Sequence, residues 1–395
     1  MAALLVRPHQ LRELRIIVGI SFSCLQVLQE LYCRHIEPLP TTRPMAAFTE
    51  LPIAIQSIHA DLTHRAWTSN LSALTSSGGS AYTREVRGRL YWYWQPPKET
   101  DGKRPSAKYL GPDSEETRTR LAEMQNRVEN LRQRRDMVRA LRAARLPIPD
   151  TMSGDIMAAM AEAGVFRLRA AVIGSVAFQT YPGLLGVHIP ATLSRTGDLD
   201  IGQFQSIAIA VEDKIEPDLM TVLKTVDKRF EAESNPMDTR QTLRYALRVG
   251  GDERFSVDVL SPMRGPDRGR TGKLPALQTG AQFLRYLDFL LYQEINSVAL
   301  YGAGIPINVP DPTRYALHKL LVSQMRRQED PLSAAKSRKD LEQARALIEV
   351  LSVQRPDDLQ DLWLELCDRG LSWREKAIAS VRQLPEYIAQ ALGEP

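Results

Sequence analysis

The chain has 395 residues, 43% hydrophobic and 25% charged, which suits a globular protein of two to three domains and excludes collagen-like, mucin-like and wholly disordered chains. Its net charge of +4 is too mild to announce a nucleic-acid binder, but residues 84–145 hold 16 Lys/Arg against 9 Asp/Glu, a local excess of +7 that leaves the rest at −3. Three cysteines (Cys24, Cys33 and Cys367) without CxxC spacing argue against a disulfide framework or a structural zinc site and favour a reducing compartment.

Residues 16–28 are a mostly apolar run behind Arg12 and Arg15. The run is too short to span a bilayer, and Glu30, Leu31, Tyr32 and Cys33 follow in place of a small-residue cleavage site. Leu11, Leu14, Val18, Leu25 and Leu28 fit one helical face, so a packed or frayed helix is expected in preference to a signal or anchor. Met45, after the proline-rich stretch 37–44, is an alternative start. No other segment is apolar enough over sufficient length to enter a membrane, and the chain reads as cytoplasmic.

Residues 46–80 read as a helical segment that decays into a polar Ser/Gly connection. Tyr91, Trp92, Tyr93 and Trp94 then alternate across a strand, and a Gly/Pro/Asp/Lys stretch turns into a second strand at 107–110, which predicts a hairpin. Asp113 with Glu116 makes a capping-box start for a long helix. Its buried stripe is Leu121, Met124, Val128, Leu131 and Val138, with Arg135 in the seam and an end near Leu146. The aromatics of this hairpin beside Arg87, Arg89, Lys103, Arg104 and Lys108 could stack bases and track a backbone, or half of them could pack on the long helix. A nucleic-acid contact through 84–145 is one expectation, interior or oligomer packing the other. A short helix over 153–163, closed by Gly164, leads into a strand over 165–173. The pattern is mixed α/β to about residue 262 and mainly helical over 280–395.

Three pieces of this core carry chemistry. A strand ends in Gly174–Ser175 and a helix follows: glycine lets the backbone approach a ligand, serine offers a hydroxyl, and the new helix presents free N–H groups to an anion. Asp198 and Asp200, one residue apart on a strand, project from one face about 7 Å apart, an arrangement that needs a cation or a basic group. A hard divalent ion with oxygen ligands would supply it; a solvated strand edge is the plain alternative. Two strands flanking the turn 250–253 form a hairpin whose second strand sets Asp258 among Phe255, Val257 and Val259. A carboxylate there must be paired, to Arg244 or Arg248, or bound to metal.

In this order the three pieces resemble the nucleotidyltransferase-fold superfamily (DNA polymerase β-like). The stretches AGVFRLRAAVIGSVAFQTYPGLLG and LYWYWQ…YLGP look like a bacterial group of uncharacterised nucleotidyltransferase-fold proteins with an N-terminal extension. The resemblance implies a mixed-sheet α/β (α+β) core, with Gly174 and Ser175 holding the triphosphate. It further implies that Asp198, Asp200 and Asp258 bind two Mg²⁺ (or Mn²⁺) ions for in-line displacement at the α-phosphate, Asp258 also helping to deprotonate the acceptor. The 22 residues between Ser175 and Asp198 are more than many members have, so an insertion over the site or a longer link is expected. The helical tail has a softer similarity to abortive-infection and toxin-type nucleotidyltransferases. There a lysine in an LHKLL-like helix and a later RKDL carry function, here Lys319 and Arg338, Lys339, Asp340 and Leu341. Lys319 could neutralise a phosphate and Asp340 could act as a base or orienting group; ordinary surface charge is the alternative.

The expected organisation is a helical segment and linker over 1–80, an aromatic hairpin and Arg-rich helix over 81–150, a catalytic core over 151–280 and a helical domain over 281–395. The expected function is Mg²⁺-dependent transfer of a nucleoside monophosphate from an NTP to an acceptor, which could be RNA, a protein or a small molecule. Alternatives are a catalytically silent nucleic-acid-binding relative and a toxin or defence enzyme modifying tRNA or protein. His59 and His64, at i and i+5, share no helical face well enough for zinc; neither a G-x-S-x-G elbow for Ser175 with His188 or His318 nor a Walker loop is present.

Overall fold

The computed structural model describes residues 48–68, 79–98, 102–190, 197–210, 213–235, 238–250, 253–263, 271–327 and 329–393. Phe48–Pro395 falls in one unit, and the helix expected over 11–28 lies outside the described residues. β1 (Thr49–Glu50) leads into α1 (Ile53–Thr68), whose Leu62 and Ala66 are buried. The aromatic segment forms three antiparallel strands, β2 (Ser80–Val86), β3 (Arg89–Gln95) and β4 (Lys108–Pro112). The expected hairpin therefore gains a strand: Ser80, Ala81 and Tyr82, which read as connection, pair with Gln95, Trp94 and Tyr93.

The long helix is α2 (Glu115–Ala143). Its N-cap is Ser114, whose Oγ accepts from the Thr117 N–H at 3.2 Å. Asp113 is instead occupied by Trp92 Nε1 at 2.9 Å and Arg118 at 2.6–2.7 Å, so the capping box expected one residue earlier does not form. The buried basic residue in the seam is Arg134 and not Arg135, since Leu131, Arg134, Val138 and Leu141 form the covered stripe; helical spacing alone permits either. The Arg134 guanidinium donates to the carbonyls of Ala303 at 2.9 Å and Gly304 at 2.5 Å, and burial lowers its pKa to about 10. Val138 and Leu141 join Leu62 and Ala66 in a small core with Val298 and Leu300.

α3 (Thr151–Glu162) is capped by Asp150 and followed by Gly164 at φ +86°. The strand expected from 165 begins only at β5 (Ala171–Ile173). Residues 165–169 form turns, and two buried amides claim carbonyls in and beside them: Asn308 Nδ2 donates to Phe166 at 2.7 Å and Ala170 at 3.0 Å, and Gln203 Nε2 donates to Leu168 at 2.6 Å. The extra residues after Ser175 make α4 (Gly174–Phe178), α5 (Tyr181–Leu185) and β6 (Val187–His188), the last paired with β1.

Next come β7 (Asp198–Gly202), α6 (Gln205–Ala210), α7 (Leu219–Val226), β8 (Glu231–Asn235), β9 (Asp238–Gly250), β10 (Glu253–Pro262), β11 (Thr271–Leu274), β12 (Thr279–Leu284), α8 (Leu287–Leu291), β13 (Glu294–Ala299) and β14 (Ile305–Pro310). They complete a nine-stranded mixed sheet in the order β11-β12-β10-β7-β5-β14-β13, with β9 on β10 and β8 on β9. β7 runs parallel to β10 and antiparallel to β5, so the α/β fold class read from the sequence holds. The sheet runs on to Pro310, and the purely helical part follows: α9 (Pro312–Gln324), α10 (Pro331–Gln354), α11 (Pro356–Asp368), α12 (Leu371–Val381) and α13 (Glu386–Leu392). The first three of these open on proline, and Asp311 and Asp330 cap α9 and α10, the arrangement that proline's fixed φ and missing N–H favour.

Candidate active site

Leu199 and Ile201 of β7 are fully buried, as are Val257 and Val259 of β10 but for a trace. Strand alternation therefore sends Asp198, Asp200 and Asp258 to the other face. In the parallel register Asp200 lies opposite Asp258 and Asp198 opposite Ser256. On the other side Asp200 lies opposite Ile173, the last residue of β5, which brings the Gly174–Ser175 turn against it. Gly174 has φ +66°, and a Cβ there would fall 2.5 Å from Asp200 Oδ2. Both the backbone conformation and the space demand glycine.

Helices α9 and α10 close the site. Tyr315 Oη donates to the Gly174 carbonyl at 2.9 Å, and Lys339 Nζ donates to Ser175 Oγ at 2.8 Å. Lys319 Nζ and Asp340 Oδ1 are 2.6 Å apart, with Arg326 Nε 3.2 Å from Asp340 Oδ2. The structure thus gathers Gly174, Ser175, Asp198, Asp200, Asp258, Lys319, Lys339 and Asp340 around one set of strand ends. Arg338 is exposed, and Leu341 is buried in the core.

The electrostatics follow from this crowding. Burial, and then the carboxylates of Asp198 and Asp258, push Asp200 up to about 7, against the pull of Lys319 and Lys336. Burial works against the charge on Lys319, but Tyr315 and Asp340 outweigh it and hold its pKa above the usual lysine value. Lys339 moves the other way: burial and Lys319 lower it, while Asp198 and Asp340 oppose the shift.

Three contributors, Tyr315, Arg326 and Lys336, escaped the sequence reading, and a fourth, Arg244, was foreseen only as one of two choices. Arg244 grips Asp258 with Nε and Nη2, the latter 2.7 Å from Oδ2, so the ion pair weighed as an alternative for Asp258 is present. Tyr315 buttresses the turn, and Arg326 shares Asp340. Lys336 lies one helical turn before Lys339 and Asp340 and acts on Asp200 through its charge. The i, i+3, i+4 spacing on α10 was the signal that could have found it.

Three carboxylates are hard oxygen donors of the kind Mg²⁺ takes, and the displaced pKa of Asp200 reports negative charge that a cation would relieve. Among the described residues, however, no group of three or more His, Cys, Asp or Glu side chains is arranged as a metal site. The donor chemistry fits a divalent ion, and Arg244 already engages both oxygens of Asp258. His59 is buried, its pKa lowered by burial to about 4, and a Cβ on Gly183 would lie 2.4 Å from its Nε2; it fills space. Buried His318 is likewise pushed down, to about 3, which leaves it neutral.

A nucleotidyltransferase family model matches residues 151–368, from the first residue of α3 to the last of α11, and the chain belongs to that family. No curated protein and no solved structure matches it. The family class implies nucleotidyl transfer with an NTP as substrate. Among the described residues no helix is long and apolar enough to cross a membrane.

Proposed function

We propose that the chain moves a nucleoside monophosphate from an NTP to an acceptor hydroxyl. The acceptor oxygen bonds to the α-phosphorus, the bond to the β-phosphate's bridging oxygen breaks, and pyrophosphate leaves. The observation that supports this reading is the placement of three carboxylates on two parallel strands directly against the Gly174–Ser175 turn. Divalent ions bound there would balance the charge on the attacking and leaving oxygens. Asp198 and Asp200 form the paired ligands. Asp258 completes the set and receives the acceptor proton once Arg244 has let it go.

Ser175 holds the β- and γ-phosphates with Lys339, which already donates to it, and Lys336 adds positive charge from the same helix. Lys319 and Asp340 act on each other: their ion pair orients α10 so that Lys339 reaches the turn. On this reading 1–80 is an N-terminal segment and linker, 81–150 an arm, 151–280 the catalytic core with its sheet continuing to Pro310, and 281–395 the helical part that brings the lysines.

The test uses purified full-length protein, each α-labelled NTP in turn and Mg²⁺, with and without total RNA or protein extract. Label passing to a macromolecule or to the protein itself, and lost in Asp198→Ala/Asp200→Ala, supports transfer and names the acceptor class. The Arg244–Asp258 pair favours a second reading, a silent relative that keeps the fold as a scaffold. Absence of NTP binding with either Mg²⁺ or Mn²⁺ would select it.

A further inference from the structure

The three-stranded sheet β2-β3-β4 sorts its aromatic side chains by face. Trp92 and Trp94 turn one way, where Trp94 is buried and Trp92 is tied to Asp113. Tyr91 and Tyr93 turn the other way, and the register sets Tyr82 and Tyr109 on either side of Tyr93. Their rings form a continuous row: Tyr82 and Tyr93 stack at 5.6 Å, Tyr93 meets Tyr109 edge-on at 5.5 Å, and Tyr91 lies 6.1 Å from Tyr109. The outer rings are open to solvent, Tyr82 at 43% and Tyr109 at 56% exposure.

Arg84 lies opposite Tyr91 and Arg89 opposite Val86 on this same face, both exposed. Across residues 80–112 there are seven basic residues against three acidic ones. We infer that this tyrosine face binds single-stranded nucleic acid, its bases lying on the rings and its phosphates on the arginines. Aromatic rings accept the flat face of any unpaired base, and a basic surround follows the backbone; a duplex hides those base faces. Charge also decides between occupants. A second copy laid on this face would bring Arg84 and Arg89 against their own counterparts, whereas a polyanion is complementary.

The sheet lies outside the residues matched by the family, so the inference stands apart from the transfer reading. Fluorescence anisotropy of the full chain with a short labelled oligouridine strand, and with an RNA duplex of the same length, tests it across a range of salt. The expected result is preference for the single strand, weakening as salt rises. Tyr82→Ala/Tyr109→Ala should lose at least about tenfold in affinity, and Arg84→Glu/Arg89→Glu should flatten the salt dependence. Tyr82→Phe/Tyr109→Phe should bind like the parent, and so should Asp198→Ala/Asp200→Ala, which separates this test from that of transfer. The outer tyrosines are chosen because they are exposed, and an unchanged circular dichroism spectrum verifies folding. No binding, equal binding of strand and duplex, or undiminished binding by the tyrosine-to-alanine variant would overturn the inference. So would a dimer, seen by light scattering, that the same variant abolishes.

Discussion

A carboxyl group with two carboxylate neighbours and little water around it keeps its proton, and Asp200 does so up to about 7. The unfolded chain releases that proton near 4. Between those values the folded protein holds a proton on Asp200 that the unfolded chain lacks, so the contribution of this group to stability falls as pH rises from about 4 to about 7 and levels off above, while buried His59 and His318, whose pKa values are lowered, act in the opposite direction below about 6.5. Thermal melts of metal-free protein should isolate the Asp200 contribution as a difference: the melting temperature of the parent relative to Asp200→Asn should decline over that range. A divalent ion added at neutral pH should raise the melting temperature of the parent but not of the asparagine variant. The pairing of Asp198 with Asp200 was legible in the sequence because strand alternation needs no tertiary information. The partner of Asp258 was legible only as a choice between Arg244 and Arg248, since a hairpin's register is set by its turn and by the sheet it joins. Arg244 prevails because it lies directly opposite Asp258 across the ladder.

At the scale of elements, α9 and α10 are joined by a pair whose members are nearly out of reach of water: the side chain of Lys319 is 12% exposed and that of Asp340 5%. Removing one partner of such a pair leaves a buried charge, at a cost of about 3–5 kcal/mol. Lys319→Met is expected near the lower end because Arg326 still reaches Asp340. Urea titration should show Lys319→Met/Asp340→Leu losing less than the sum of the two single changes. These helices could be found in the sequence through their prolines, each of which marks a first turn. The short strands could not. β5 was read as nine residues and has three, because Asn308 and Gln203, distant along the chain, capture the carbonyls that a longer strand would have used.

On the scale of the whole molecule, the arm proposed over 81–150 carries a small sheet at one end of a 29-residue helix, about 43 Å long at 1.5 Å per residue. The other end is fastened where Arg134 meets the carbonyls of Ala303 and Gly304. Arg134→Met should cost about 2–3 kcal/mol, the worth of losing hydrogen bonds to a charged donor. Limited proteolysis should show faster cutting within 80–143 while fragments of 151–368 persist. The sequence marked this arm by its basic excess and its aromatics but missed the fastening by one residue, because periodicity fixes a face and only the partner chain segment fixes which arginine enters it.

The grip of Arg244 on Asp258 has a bearing on how the protein behaves when nothing is bound. An anionic site that can borrow a proton at Asp200 and an internal counter-ion at Asp258 is already discharged, so the fold does not lean on an added cation. Metal-free protein is then a resting form and not a damaged one. Treatment with a chelator should leave the circular dichroism spectrum and the melting temperature at mildly acidic pH unchanged while silencing the proposed transfer, and dialysis back into Mg²⁺ should return it in full.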